Sequence, residues 1–155
     1  MNIDLESLFA EAENRYLKPE ELKGLSQYVD SLPQRLETYT QIREKEVEIM
    51  QAVADQLPQH FPNPSVEDME RSIKNAMLML RYCAMAMLID NDQLVKQRFV
   101  DWLSQSIAMY ETQDLDKVLY KLLNQQLMKS LKTEQIKLIK SPLILAQTQL
   151  INSEK

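Results

Sequence analysis

A chain of 155 residues with a single glycine, Gly24, has almost no way to build a sheet of tight hairpins. Such turns hold their central residues at positive φ, which glycine adopts without steric cost. The six prolines fall between runs of helical periodicity, and the expected fold class is all-α. With 45% hydrophobic and 26% charged residues the composition is that of a globular protein. At this length one domain buries roughly two-thirds of the surface its unfolded chain exposes. No repeat, low-complexity run or linker divides the sequence, so residues 1–155 read as one domain.

The lone cysteine, Cys83, rules out an intramolecular disulfide framework and a cysteine-clustered zinc site. The sequence shows no signal peptide and no run of about 18 uncharged apolar residues. The expectation is a reducing, soluble compartment.

The net charge of −5 is unevenly placed. Up to Asp116, 11 Lys and Arg stand against 21 Asp and Glu, while from Lys117 onward 7 stand against 2. An acidic body repels phosphate backbones, which argues against nucleic acid as a partner. The basic C-terminal segment suits an acidic protein or an anionic membrane surface, unless its lysines only keep a solvated helix soluble.

Leu5, Leu8, Phe9 and Ala12 repeat at helical spacing in an acidic surround and predict a short amphipathic helix. Lys18-Pro19-Glu20-Glu21-Leu22 puts proline at a first helical position, with carboxylates beside the exposed N–H groups of the first turn. Leu22, Leu25, Tyr28 and Val29 give that second helix one apolar face. Two helices this short are marginal alone and must pack on the rest of the chain or on a second subunit. Ser31-Leu32-Pro33 predicts a new helix start, after which Leu36, Tyr39, Val47, Met50, Val53 and Leu57 sustain a long helix. Pro58, Pro62 and Pro64 stiffen a connector around His60 and Phe61, and Ser65 ahead of Asp68 predicts an N-cap. Val66 to Ile89 is the most apolar stretch, read as a core helix because the charges at its start argue against a membrane span. Asp90-Asn91-Asp92 breaks it. Leu94 to Met109, Leu115 to Leu131 and Ile136 to Leu150 follow as helices, the last interrupted at Ser141-Pro142, for seven or eight in all.

His60 is the only histidine and sits between prolines, which leaves no histidine-based metal centre and no Ser-His-Asp relay. A surface or capping role is expected for it. Cys83, within Leu80-Arg81-Tyr82-Cys83-Ala84-Met85, reads as a buried, inert thiol. Met69, Met77, Met79, Met85 and Met87 fall at many angles around one helix, which favours irregular packing over copper binding. Asp90, Asp92, Glu20-Glu21 and Glu67-Asp68 sit at helix starts, where capping accounts for them better than paired acid–base chemistry. No P-loop, dinucleotide fingerprint or zinc-protease motif is present. No catalytic residue and no metal ligand is therefore assigned, and the chain is read as not an enzyme.

The segment Glu13-Asn14-Arg15-Tyr16-Leu17-Lys18-Pro19-Glu20-Glu21-Leu22 resembles the opening of phycobiliproteins, allophycocyanin subunits above all. In them a similar Ala-Arg-Tyr-Leu-x-x-x-Glu-Leu segment joins the first two helices. Arg35-Leu36, Arg43-Glu44-Lys45, Gln56 and the proline turn near Phe61 follow in the family's order. Arg71-Ser72-Ile73, Leu78, Leu80-Arg81 and Tyr82-Cys83 are loosely similar to the family's Arg-Asp-x-x-x-x-x-Arg-x-x-x-Tyr helix, and Asp90-Asn91-Asp92 to the restart after it. The resemblance covers residues 5 to 130.

It implies a globin-like helical core, residues 33–155 with the basic C-terminal segment, preceded by a helical arm, residues 1–32, through which family subunits pair. In the family, a cysteine two residues before the Arg-Asp pair holds a linear tetrapyrrole by a thioether, and the Asp hydrogen-bonds its pyrrole nitrogens. Met69 takes that attachment position here, Ser72 takes the Asp position, and the preceding loop is shortened. Methionine cannot form the thioether, and a neutral hydroxyl cannot balance a protonated pyrrole system.

The function these features imply is that of a non-chromophorylated, phycobilisome-related subunit of cyanobacterial or plastid photosynthesis, without cofactor, acting by protein–protein interaction. Phe9, Tyr16, Leu22, Leu25 and Tyr28 are the expected partner-binding residues. The expected partners are a homodimer mate, a phycobiliprotein-like subunit in a heterodimer, or a bilisome linker. The expected location is cytoplasmic, with peripheral contact at the thylakoid membrane. The alternative is a sensor or carrier that holds a bilin, haem or other apolar ligand noncovalently in the globin-like pocket, with Arg71, Arg81 and Tyr82 as its polar contacts. An enzyme of bilin attachment, isomerisation or degradation has no visible nucleophile–base pair to support it.

Overall fold

The computed structural model describes residues 5–152, which form helices joined by short turns with no strand among them. The elements are α1 (Leu5–Ala12), α2 (Pro19–His60), α3 (Val66–Ile89), α4 (Gln93–Val95), a π-helical turn (Lys96–Val100), α5 (Asp101–Tyr110), α6 (Gln113–Ser130) and α7 (Thr133–Asn152). The phycobiliprotein-like, globin-like reading of the sequence is met by this all-α arrangement.

Pro19 opens α2 as its spacing predicts, and the Lys18 N–H donates to Glu21 Oε1 at 2.9 Å to close the first turn. The helix then runs 42 residues, about 63 Å, without the break expected at Ser31-Leu32-Pro33. Proline inside a helix removes one N–H and crowds the preceding turn, so continuity needs local repair. The Ser31 hydroxyl donates to the Tyr28 carbonyl oxygen at 2.7 Å and itself accepts from Arg35 Nε at 2.8 Å, which knits the turns on either side of Pro33. Pro58 is likewise carried inside the helix, which ends only at His60. The part of the arm that lies in α2 therefore shares one rod with the core, with no backbone break at residues 32–33.

A second correction concerns α7, which continues through Ser141-Pro142. Ser141 donates to the Asp92 carboxylate, tying this turn to the corner after α3.

Left-handed turns fall to residues other than glycine. Asn63, Asp90 and Glu111 have φ of 49°, 52° and 52°, while Gly24 lies buried inside α2. Asn and Asp tolerate this region better than most residues. Asp90 ends α3 here, with the Asn91 N–H bonded to the Ala86 carbonyl oxygen at 2.9 Å. Ser65 caps the other end, its Oγ accepting from the Asp68 N–H at 3.0 Å, as the sequence predicts.

By length and composition α3 is apolar enough to cross a membrane, contrary to the reading of its charges. Its packing accounts for that greasiness, because Ala76, Met79, Leu80, Cys83, Ala86 and Met87 are buried in the core. α2 packs on α3 and α6, and α3 also packs on α7. The π-helical turn lets Phe99 and Val100, adjacent in sequence, both face this core together with Val95 and Leu103.

Candidate functional site

The N-terminal arm displays apolar surface that nothing among the described residues covers. α1 carries no buried residue; Phe9 is 73% exposed and Tyr16, in the corner after it, 98% exposed. Leu22 is also exposed, whereas Leu25 and Tyr28 are half-buried. Three of the five expected partner residues thus face outward in full.

The arm is held in a defined direction. The Asn14 and Arg15 N–H groups bond the Glu11 carbonyl oxygen at 3.0 and 3.1 Å, finishing α1. Arg15 then grips Glu21 with both terminal nitrogens, at 2.8 and 3.3 Å. Its guanidinium holds the Glu21 carboxyl below the usual carboxylate range, with the Lys18 N–H adding to the effect.

At the base of the arm the C-terminal end of α3 is capped from α2. Tyr28 Oη donates to the Leu88 carbonyl oxygen at 2.9 Å, and Arg35 Nη1 donates to that of Met87. The Met87 carbonyl also takes the Asp90 N–H, at 3.2 Å, and a cation beside this helix end meets the negative end of the helix dipole. Arg35 approaches Asp90 at 3.6 Å and lies over the Tyr28 ring at 5.8 Å. Tyr28 is therefore committed within its own chain by its hydroxyl, which the sequence reading had assigned to a partner.

Arg71, Arg81 and Tyr82 are not gathered into one pocket. Arg71 and Arg81 stand ten residues apart on α3, about 15 Å along its axis. Arg71 pairs with Asp68 at 2.9 Å and covers the Tyr110 ring at 3.7 Å. Arg81 forms a two-pronged pair with Glu46 on α2, at 2.7 and 3.0 Å, in an open cleft of about 270 Å³ lined also by Tyr39, Ile42, Arg43 and Ala84. Tyr82 turns away from that cleft and stacks on Phe99, ring centroids 5.4 Å apart. Its neighbour Cys83 is fully buried, and burial pushes its thiol far above the ordinary range, with the Asp92 charge acting in the same direction.

Sequence reasoning missed a buried polar cluster where α3 meets α6. Asp116 is buried and accepts hydrogen bonds from Ser72 and from Thr112, the latter at 2.9 Å. Burial still raises its pKa, because two neutral hydroxyls do not repay the lost hydration of a carboxylate. The signal was present: Ser72 shares the apolar stripe of Met69, Ala76 and Leu80, where a hydroxyl needs a partner.

His60 is exposed at the end of α2, with Nδ1 3.0 Å from the Gln56 carbonyl oxygen, the capping role expected of it. No group of three His, Cys, Asp or Glu side chains is placed to hold a metal among the described residues.

Compared with known proteins, the chain matches the family described as Phycobilisome protein over residues 8–143, from within α1 to Leu143 in α7. No curated protein matches it.

Proposed function

The chain belongs to the phycobilisome protein family, and on that premise we propose that it is an assembly subunit that binds other phycobiliprotein subunits through its arm and carries no pigment of its own. Membership makes it a phycobilisome-related subunit; the division of labour between arm and core is the reading offered here. The observation that carries it is the arm's outward apolar face, with Phe9, Tyr16 and Leu22 exposed on a segment whose direction is fixed by Arg15 and Glu21. A preordered segment loses less entropy on binding than a flexible one, and buried aromatic anchors dominate interface energy.

The bilin of this family does not fit the residues present. Met69 takes the attachment position in the register set by Arg71; counting back from Arg81 by the spacing of the family motif puts Ser72 there and Asn75 at the carboxylate position. Neither register supplies a sulfur nucleophile. Ser72 is buried and engaged with Asp116, and Cys83, the only thiol, lies inside the core. Tyr82 is occupied by Phe99 and Arg81 by Glu46, which leaves them poor anchors for a tetrapyrrole.

On this reading the chain acts by binding and has no catalytic residue. It works with phycobiliprotein subunits on the cytoplasmic face of the thylakoid, held there by the assembly rather than by α3. The test is co-isolation with phycobiliprotein subunits from the native host, compared between the unaltered chain and Phe9→Asp or Leu22→Asp. Both substitutions lie on exposed surface and spare the fold. Loss of the subunits from either variant supports the reading, and full retention in both overturns it.

A further inference from the structure

The cations of this chain are sorted by kind. All six arginines precede Lys117, whereas from Lys117 to Asn152 six lysines stand with a single acid, Glu134, and no arginine. No aromatic residue follows Tyr120, which is itself buried.

The fold gathers the lysines around exposed apolar side chains. An apolar groove of about 280 Å³ runs between α6 and α7, with Leu127 and Met128 on one wall and Ile139, Leu143 and Ile144 on the other. Met128 is 69% exposed and Ile144 49% exposed, so both stand at its rim. Lys140 lines the same groove. Lys137 lies seven residues before Ile144 on α7 and Lys121 seven before Met128 on α6, in each case about 10 Å along one stripe of the helix. All three lysines are exposed, and among the described residues the ion pairs of this region are made by Lys117 and Lys132 instead. Asn124 and Gln147 exchange both amide hydrogen bonds, at 3.0 and 2.8 Å, and fix the spacing of the two helices.

A lysine-rich face attracts either an acidic protein or an anionic bilayer. Protein interfaces draw on arginine and aromatic anchors and are depleted in lysine. This face has the reverse composition. The long stem of a lysine lies along apolar surface while its ammonium reaches out to phosphate, and apolar side chains set between such lysines enter the headgroup boundary. The remainder of the chain, with 21 Asp and Glu against 11 Lys and Arg up to Asp116, is repelled by anionic lipid, which orients the molecule with this face toward it. The apolar helix α3 competes poorly for lipid, because its side chains are spent in the core.

We propose that the α6–α7 face docks the chain on the surface of an anionic bilayer. Met128 and Ile144 enter the headgroup boundary, and Lys121, Lys137 and Lys140 meet lipid phosphates. The inserted apolar surface is small, so the attraction is mainly electrostatic and the contact is reversible and sensitive to salt. It uses no residue of the arm and goes beyond the proposed function, leaving the arm free to bind subunits while the chain sits on lipid.

The test is flotation of the full chain with vesicles of phosphatidylglycerol and phosphatidylcholine in equal parts, and with vesicles of phosphatidylcholine alone. The expected result is binding to the mixed vesicles at low salt, lost as salt screens the contact, and none to phosphatidylcholine. Lys137→Glu with Lys140→Glu should weaken binding at least about tenfold, and Lys137→Arg with Lys140→Arg should retain it. Ile144→Asp should also weaken it about tenfold, with an unchanged far-ultraviolet circular dichroism spectrum. Absence of binding to the mixed vesicles, equal binding to both kinds of vesicle, or full binding by either weakened variant overturns the proposal. So does binding to polyglutamate with none to vesicles, which assigns the face to an acidic protein. The charge variant keeps the arm intact and should still co-isolate phycobiliprotein subunits, so this inference and the proposed function fail separately.

Discussion

Tyr28 Oη lies 2.9 Å from the carbonyl oxygen of Leu88 and donates to it across 60 residues of sequence. With Arg35 bonded to the next carbonyl back, this fastens the first half of α2 to the end of the core helix α3. The part of the arm that lies in α2 is thus an extension of the core.

Tyr28→Phe removes one neutral hydrogen bond and should cost about 1 kcal/mol, while Arg35→Ala removes a charged donor and a cation at a helix end and should cost about 2 kcal/mol. Urea unfolding with far-ultraviolet circular dichroism reads both. Equal, negligible losses would mean that the α2–α3 corner does not depend on these bonds.

Asp116 gives a pH dependence of defined sign. Burial raises its folded pKa above the ordinary 3.8, so the folded chain keeps a proton that the unfolded chain has released. Its contribution is present at low pH and is lost as pH rises through the folded value. Asp116→Asn removes this and keeps an oxygen to accept from Thr112. The variant should gain thermal stability relative to the native chain as pH rises from the ordinary carboxylate range through the raised folded value, where the buried acid is forced to ionise. A difference in midpoint that stays flat over that range would contradict the assignment.

The thiol of Cys83 should resist a disulfide reagent in the folded chain and react with one equivalent only after unfolding, since burial leaves no thiolate at neutral pH. Release of the chromogenic thiolate within seconds from folded protein would place Cys83 within reach of solvent and contradict its burial.

On the arm, Phe9→Ala should weaken capture of phycobiliprotein subunits at least about tenfold, as truncation of an aromatic anchor does, with no change in the unfolding midpoint. Surface plasmon resonance on purified subunits measures it. Val47→Ala, at an exposed apolar residue distant from the arm, should leave capture unchanged.

Much of this architecture could be read from the residues. The stripe of α1, the Pro19 start, the Ser65 cap and the Asp90 stop are local features, and each formed where its chemistry predicted. The continuity of α2 across Pro33 was not legible, because it rests on Ser31 and Arg35 acting together and on Arg35 finding Met87, 52 residues away. The same holds for α7 across Pro142, where Ser141 reaches Asp92 in another part of the chain. In the arm, the apolar stripe left open whether it packs on the chain or on a second subunit, and the inward commitment of Tyr28 depends on where α3 ends. Arg71, Arg81 and Tyr82 looked like a set because they share a helix, and their separate partners, Asp68, Glu46 and Phe99, come from three different elements.

The account rests most on a phycobilisome subunit that binds others without carrying pigment, and the direct test is the visible absorbance of this chain isolated from its native host in complex and then separated under acid denaturation. The account predicts phycobiliprotein subunits in the complex and no visible band remaining with the separated chain. A stoichiometric bilin band that stays with the chain after denaturation would contradict it.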